Sequence, residues 1–359
     1  MSDKPGTNDI DDGIYSRAPA GSISVPAELV NFKKTTTSTD YRWLVTSDDM
    51  GFKLEDWQSD PTRIIYNGGK YHMWMIDTPV DWGIKSSGTV EDNLRILLEP
   101  PERIKQGFSR ILYMTSDDTH HWSAVGYVPL GPRGSCYDLD LEQANVVYYE
   151  GKFYLFTEGF TTNVEKYGQR RAGITCLVAD SPEGPWEQPA GVDLLVGPEM
   201  DGDGSWDSMH ANNPRHIYLD GRWYMYYKGR RRLGSPTDNG VAIAETILGP
   251  YKKYGGNPIM KGHGQFCWGY KHGVLMIPHH QNWIHWSEDG IHFAPVANDP
   301  NIFRFGALYV PGDPLFGEPA GVEPSTSYWG FETIDKTRPG NQRPDPDVER
   351  IEFEFGSAS

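Results

Sequence analysis

A two-hairpin module recurs four times along these 359 residues, and few folds accommodate such a repeat. Its first half is a turn glycine, usually a basic residue, and then a run of aromatic and apolar residues. Copies span Tyr66–Met75, Tyr149–Phe156, Leu219–Tyr227 and, more faintly, Lys271–Ile277. Each reads as a polar turn feeding a β-rich strand. The second half is a strand ending in small or polar residues, a turn, and an aromatic that caps the next strand. It appears at Leu112–Trp122, Leu177–Trp186, Ala242–Tyr251 and Ile284–Phe293.

A pair of hairpins is one propeller blade. The turn glycines Gly151, Gly221 and Gly273 stand 70 and 52 residues apart, whereas a blade without insertions takes about 40 to 50 residues. The surplus belongs in loops, expected over 82–107 and 229–239. Tyr41–Phe52 resembles the second half-module and is expected to pair with the C-terminal strands, closing a ring from both chain ends. The expectation is therefore all-β: a five-bladed β-propeller over 41–359 with an N-terminal arm over 1–40. A β-sandwich would not need the same module repeated. The arm is rich in Ser, Thr, Gly and Pro, with one weak helical stretch from Pro26 to Lys34, and reads as disordered or docked on a partner subunit. A polar, Pro-rich stretch (337–346) precedes a last strand at Ile351–Phe355.

Composition agrees: 40 Gly, 27 Pro, 12 Trp, 20 Tyr and 14 Phe suit many short strands joined by tight turns. The formal net charge of −16 argues against a nucleic-acid partner, and no apolar run is long enough to span a membrane. Residues 1–9 lack an apolar leader core, so the expected location is cytoplasmic, or periplasmic if a leader has been removed. Cys136, Cys176 and Cys267 are odd in number and have no metal-binding spacing. They read as small buried strand residues.

The inner strand of each blade lines a central channel, so polar residues before and on these strands converge. The segments are Trp57–Thr62, Asp138–Asn145, Gly204–Pro214 and Lys261–Gln265. Glycoside hydrolysis needs one group to protonate the leaving oxygen and another to attack or to activate water. Such a funnel supplies titratable groups from different blades, with Trp74 and Trp206 as platforms for sugar faces. The competing reading is that Asp60, Asp207 and His263 stabilise turns.

These segments resemble glycoside hydrolase family 117, the α-1,3-neoagarooligosaccharide hydrolases, over about residues 55–295. The best matches are Gly204–Ser208 through Tyr226–Gly229, Gly240–Glu245, Gly249–Tyr251, Asn257–Ile259 and Gly262-His263. The resemblance implies a five-bladed propeller, dimeric through its N-terminal arm, releasing 3,6-anhydro-L-galactose from agar fragments with inversion. It implies that Asp60, in Ser-Asp-Pro-Thr, is the general base and that His263, in Gly-His-Gly, is the general acid. An imidazole suits that task because its pKa lies near neutrality. Three family carboxylates are replaced, by Asn145, Asn213 and Gly264, and an asparagine cannot transfer a proton. Either Glu142, Glu158 or Asp207 supplies the missing charge, or His263 works alone opposite Asp60, or the site no longer turns over.

Lys228, Arg230, Arg231 and Arg232 follow one strand, and Arg170 with Arg171 follow another. They can hold a sulfate or carboxylate on a substrate, or form a solvated loop with ordinary ion pairs. His210, Asn145, Asn213 and Gln265 complete the expected substrate contacts. His279 and His280, with His210 and His263, have no spacing that enforces a metal site. No cofactor is expected beyond an unproven divalent cation. The resulting expectation is an exo-acting, inverting hydrolase of oligosaccharides from an algal polysaccharide of the agar, porphyran or carrageenan type. Its rivals are a non-catalytic sugar-binding propeller and a glycoside phosphorylase using the Arg clusters.

Overall fold

A computed structural model describes residues 13–16, 23–30, 32–38, 42–44, 57–78, 109–200, 204–232, 234–278, 283–298, 305–317, 327–333 and 348–355. The chain enters through a 3-10 turn (Ala27–Val30), β1 (Phe32–Ser38) and β2 (Arg42–Leu44). A first sheet joins β2 to β3 (Trp57–Ser59), β4 (Ile65–Asn67), β5 (Lys70–Thr78), β6 (Arg110–Ser116) and β7 (His121–Tyr127). The second holds β8 (Asp140–Tyr149), β9 (Lys152–Phe160) and β10 (Arg171–Ala179). The third holds β11 (His210–Leu219), β12 (Arg222–Arg230), β13 (Thr237–Ala244), β14 (Lys252–Lys253) and β15 (Met260–Lys261). The fourth holds β16 (Gln265–Tyr270), β17 (Gly273–Pro278), β18 (Trp283–Ser287) and β19 (Ala294–Asn298). The fifth is ordered β1, β22 (Val348–Phe355), β21 (Ser327–Thr333), β20 (Phe305–Tyr309).

Local chemistry explains the repeat. In the tight turns β8–β9 and β11–β12, Glu150-Gly151 and Asp220-Gly221 both have positive φ, 49° and 78° then 48° and 78°. Such mirror-image turns match the right-handed twist of the flanking strands, and glycine at the second position makes them cheap. In two of the second half-modules, Leu112–Trp122 and Ile284–Phe293, one aspartate caps the turn. Asp118 accepts from the N–H groups of His120 and His121, and Asp289 accepts from those of Ile291 and His292. The aromatics that follow, Trp122 and Phe293, are buried.

The architecture is a β-propeller, with four blades rather than the five expected. The chained sheets built on β3–β4, β8, β11 and β16 supply them, and we number them one to four. The fifth sheet draws β1 from one end of the chain and β20–β22 from the other, and much of the sequence joining these strands lies outside the described residues. Ala307, Tyr309 and Phe331 pack with Met73, Leu112 and Trp122 of the first sheet. Leu308, Val310 and Tyr328 pack with Phe266, Trp268 and Leu275 of the fourth.

Closure differs from expectation in its details. The segment 41–52 contributes β2, which runs parallel to β7, whereas β1 pairs antiparallel with β22. The helical stretch expected over Pro26–Lys34 is a 3-10 turn at Ala27–Val30, after which β1 starts at Phe32 and runs through the β-branched Thr35–Thr37. Of the expected arm, Ile14 bridges Met260 and Leu29 is buried in the chain's own core. Glu28 accepts from Tyr270 at 2.9 Å and pairs with Lys271. The expected loop 229–239 is shorter, because β12 runs through Arg230 and β13 starts at Thr237. The segments 82–107 and 337–346 lie outside the described residues. All three cysteines are buried and free, and Cys136 lies outside the strands.

Two buried arginines lace the inner strands together. Arg63 Nη2 donates to the carbonyls of His216 (2.9 Å) and Cys267 (3.5 Å), while Arg215 Nη1 reaches the carbonyl of Ala144 at 3.4 Å. These form the floor beneath the funnel.

Candidate active site

One backbone irregularity recurs in the inner strands. Glu142 faces Glu158 but Asn145 faces Phe156, so β8 carries an extra residue there; Asn212 faces Lys228 but Arg215 faces Tyr226, the same offset in β11. In blade one Ser59 faces Ile76 and the N–H of Thr62 bonds the carbonyl of Trp74, again the same offset. The residue in the left-handed region is Asp60 (φ 47°), Gln143 (54°) and Asn213 (54°), with Gly264 (96°) at the mouth of β16. Such bulges re-aim side chains and are frequent at functional sites.

The bulges gather a polar cluster at one end of the inner strands. Glu142 and Glu158 lie opposite each other on β8 and β9. Arg171, at the start of β10, donates to both oxygens of Glu158 at 2.8 and 3.1 Å, and Asn212 Nδ2 of blade three donates to Glu158 at 2.8 Å. Ser109 donates its hydroxyl to Glu142 (3.4 Å) and its N–H to Asp140 (3.0 Å). On blade three, His210 faces Arg230 and Asn212 faces Lys228, four residues on one face of the sheet. His263 shares its Nδ1 with Thr237 Oγ1 at 3.2 Å.

Electrostatics ties these groups into one neighbourhood. Burial raises the carboxyl pKa of Glu158, Arg171 opposes the shift, and the charge of Glu142 adds to it. Burial pushes the Lys228 ammonium down to about 8, against the pull of Glu158 and Asp60. Burial drives His210 well below the usual histidine range, helped by Arg171, Lys228, Arg230 and His263. Lys228 thus senses carboxylates of blades one and two, and His210 senses His263 before blade four. Asp60, Glu142, Glu158, His210, Lys228 and His263 share this end of the channel.

Other expected residues fall elsewhere. Trp74 is fully buried, stacked on Tyr113 and edge-on to Trp186 between blades one and two, so it offers no sugar platform. Trp206 lies over the bare backbones of Gly229 and Gly240, where an added Cβ would come within 2.3 and 2.6 Å of its ring. Asp207 accepts from Tyr227 (3.0 Å) and Lys253 (2.7 Å). Tyr227 and Gly229 alternate with Lys228, so Trp206 and Asp207 pack on the face of blade three turned away from the cluster. Asn145 is fully buried and its Oδ1 accepts from the N–H of His216, bracing blades two and three. Gln265 reaches only the carbonyl of Asn213, at 3.5 Å. Arg170 is half-buried; its neighbour Arg171 is the residue that bonds Glu158. His279 and His280 lie outside the described residues. Among the described residues no group of three or more His, Cys, Asp or Glu is set to hold a metal ion, and no helix is long and apolar enough to cross a membrane.

Sequence reading missed Gln143 and Asn212. The signal for Asn212 was the alternation of His210 with Asn212 and of Lys228 with Arg230. Gln143 carries none, since no proline follows it as one follows Asp60 and Asn213.

A β-propeller with polar groups converging at one end of its inner strands is an architecture shared with several families of glycoside hydrolases. The chain is similar to a family 117 glycoside hydrolase of the marine bacterium Zobellia galactanivorans, at 20% identity and TM-score 0.63 over 90% of each chain. It is also similar to a sucrose-6-phosphate hydrolase of Lactobacillus gasseri (12% identity, 83% of this chain and 58% of that one, TM-score 0.53). A third is the catalytic domain of a family 62 α-L-arabinofuranosidase of Coprinopsis cinerea (9% identity, 90% and 96%, TM-score 0.50). In sequence, 150 residues are 27% identical to an arabinoxylan arabinofuranohydrolase of Bacillus subtilis. That match spans 38% of this chain and a quarter (25%) of the relative's length. No family model matches the chain.

Proposed function

We propose that the chain is a glycoside hydrolase whose site is the funnel end of the inner strands. The observation that carries this reading is that Lys228 senses Asp60 of blade one and Glu158 of blade two together. Carboxyl groups from different blades thus act on one ammonium, which supports a reaction flanking a glycosidic bond. In this reading Asp60 activates water and His263, held by Thr237, protonates the leaving oxygen with inversion. A second assignment of the proton donor is favoured by the carboxyl of Glu158, whose pKa burial and the neighbouring charge of Glu142 raise. The exo mode and the algal oligosaccharide substrate rest on the resemblance to family 117, as does dimerisation through residues 1–40.

The test is a screen of agar, porphyran and carrageenan oligosaccharides for released reducing sugar. Asp60→Asn should lower turnover by roughly 10²–10⁴-fold, the usual worth of a general base. His263→Asn and Glu158→Gln then separate the two donors, since only the true one should flatten the acid-donor limb of the pH profile. Binding without turnover in the wild type would replace the hydrolase with a sugar-binding propeller.

A further inference from the structure

Blade three contributes two cations whose side chains take no hydrogen bond or ion pair from the described residues. Lys228 is only 3% exposed, yet it makes no hydrogen bond or ion pair with any described residue. His210, 5% exposed, has both ring nitrogens unpartnered among the described residues, and Arg230 Nε and Asn212 Oδ1 are likewise unpartnered. Arg171, the third cation nearby, is engaged by Glu158. The four blade-three groups form two adjacent cross-strand pairs on one face, so their free polar atoms point the same way. Arg231 and Arg232, just beyond the strand, are exposed and take no part.

A buried ammonium that feels Glu158 and Asp60 only at longer range, with no hydrogen bond of its own, is costly. In a chain of formal net charge −16 the surrounding field would also repel a free anion. A buried ammonium with a half-buried guanidinium two residues further along the strand is therefore informative: it sets positive charge beside the carboxyl groups of the proposed cleavage site. We propose that Lys228 and Arg230, with His210 as a neutral hydrogen-bonding partner, bind an oxyanion carried by the sugar, a uronate carboxylate or a sulfate ester. The inference deepens the carbohydrate reading and rests on it. The alternating positions of Lys228 and Arg230 on β12 suit an oxyanion gripped from two sides, and Asn212 Oδ1 can take a neighbouring hydroxyl.

The groups facing Lys228 are Glu158 from β9, Asp60 from the bulge of blade one, Arg171 from β10, Arg230 from its own strand and Asn212 and His210 from β11. With an ammonium titrating at about 8, preference for an anion should fade as the solution becomes more alkaline than that.

The experiment is a titration, by calorimetry or ligand-observed NMR, with methyl galactoside, methyl galacturonoside and methyl galactoside 6-sulfate. Wild type should bind at least one charged sugar about tenfold more tightly than the neutral one, roughly the worth of one hydrogen bond to a charged group. Which charged sugar wins separates carboxylate from sulfate. Lys228→Met should abolish the preference while leaving the far-ultraviolet circular dichroism unchanged. The half-buried Arg230→Gln provides an independent variant should Lys228→Met fold poorly. Equal affinity for all three sugars, absence of binding by any of them, or a preference that survives in both variants would overturn the proposal. Binding needs no turnover, so the two readings fail separately. Anion preference with no hydrolysis of any oligosaccharide sinks the hydrolase and keeps this site. Hydrolysis confined to neutral oligosaccharides does the reverse.

Discussion

Where its bulge opens, blade two sets Glu142 against Glu158, whereas blade three sets Asn212 against Lys228 at the same offset. The backbone device is common to both, down to the left-handed residue that follows, Gln143 in one and Asn213 in the other. The chemistry is opposite. Blade two brings two carboxyl groups and blade three an ammonium, with a guanidinium, Arg230, one pair further out. The repeat therefore specifies where side chains enter the funnel and leaves their charge free to vary from blade to blade. That freedom turns a nearly symmetric scaffold into an asymmetric site, acidic toward blades one and two and basic toward blade three. The two halves meet at Glu158, which takes Arg171 from its own blade and Asn212 from the next.

Removing Arg171 should break this balance most. Arg171→Met leaves the Glu158 carboxylate buried beside Glu142 with one amide donor, and a charge stranded in this way costs about 3–5 kcal/mol. The sign of the pH dependence follows. Glu158 already titrates above its usual value, and without Arg171 its folded pKa rises further. An acid raised in the folded state keeps its proton while the unfolded chain releases it, so stability falls as pH climbs between the unfolded value, about 4.3, and the folded one. Urea unfolding should show the full deficit at neutral pH and little of it below pH ~4. A deficit that ignores pH would mean that packing, and not the stranded charge, is what Arg171 provides.

Asn212→Leu sharpens the comparison from the other side, since it makes blade three apolar where it meets Glu158. Loss of one hydrogen bond to a charged group should cost about 1.5–3 kcal/mol. Combined with Arg171→Met, the deficits should be non-additive, because both side chains act on one carboxylate. Additive losses in a double-mutant cycle would show that Asn212 and Arg171 do not share Glu158.

Much of this arrangement is legible in the sequence. Glycine turns followed by aromatic strands announced the blades, because hairpin chemistry is local and recurs in sequence. Lys228 and Arg230 stood out as cations in an acidic chain, and Asp60 and His263 carried the resemblance to family 117. Face was harder to read than position. Trp206 and Asp207 sit one side of a pleat away from the cluster, and only the register of β12, with Gly229 and Gly240 left bare for the tryptophan ring, shows which side. The bulges hid in the same way, since an extra residue in a strand shifts every later side chain and Gln143 bears no mark of it. Closure was the other gap: β1 and β2 lie close in sequence but join different sheets, a choice made by distant strands, β22 at the far end of the chain for one and β7 for the other.

The smallest expected effect concerns the joint between the two compared blades. Two residues beyond the left-handed position, Asn145 of blade two accepts from the N–H of His216, and Arg215 of blade three donates back to the carbonyl of Ala144. The bracing is reciprocal and lies beneath the funnel, where Asn145 is sealed from solvent. Asn145→Ala should therefore cost about 1 kcal/mol of stability, the net value of an ordinary hydrogen bond, and leave sugar affinity unchanged. Asn145→Asp separates bracing from chemistry, since it keeps an acceptor for His216 while burying a charge above two arginines. If a carboxylate at this point served the reaction, that variant would gain turnover. If the residue only holds two blades in register, turnover stays level while the melting temperature alone responds.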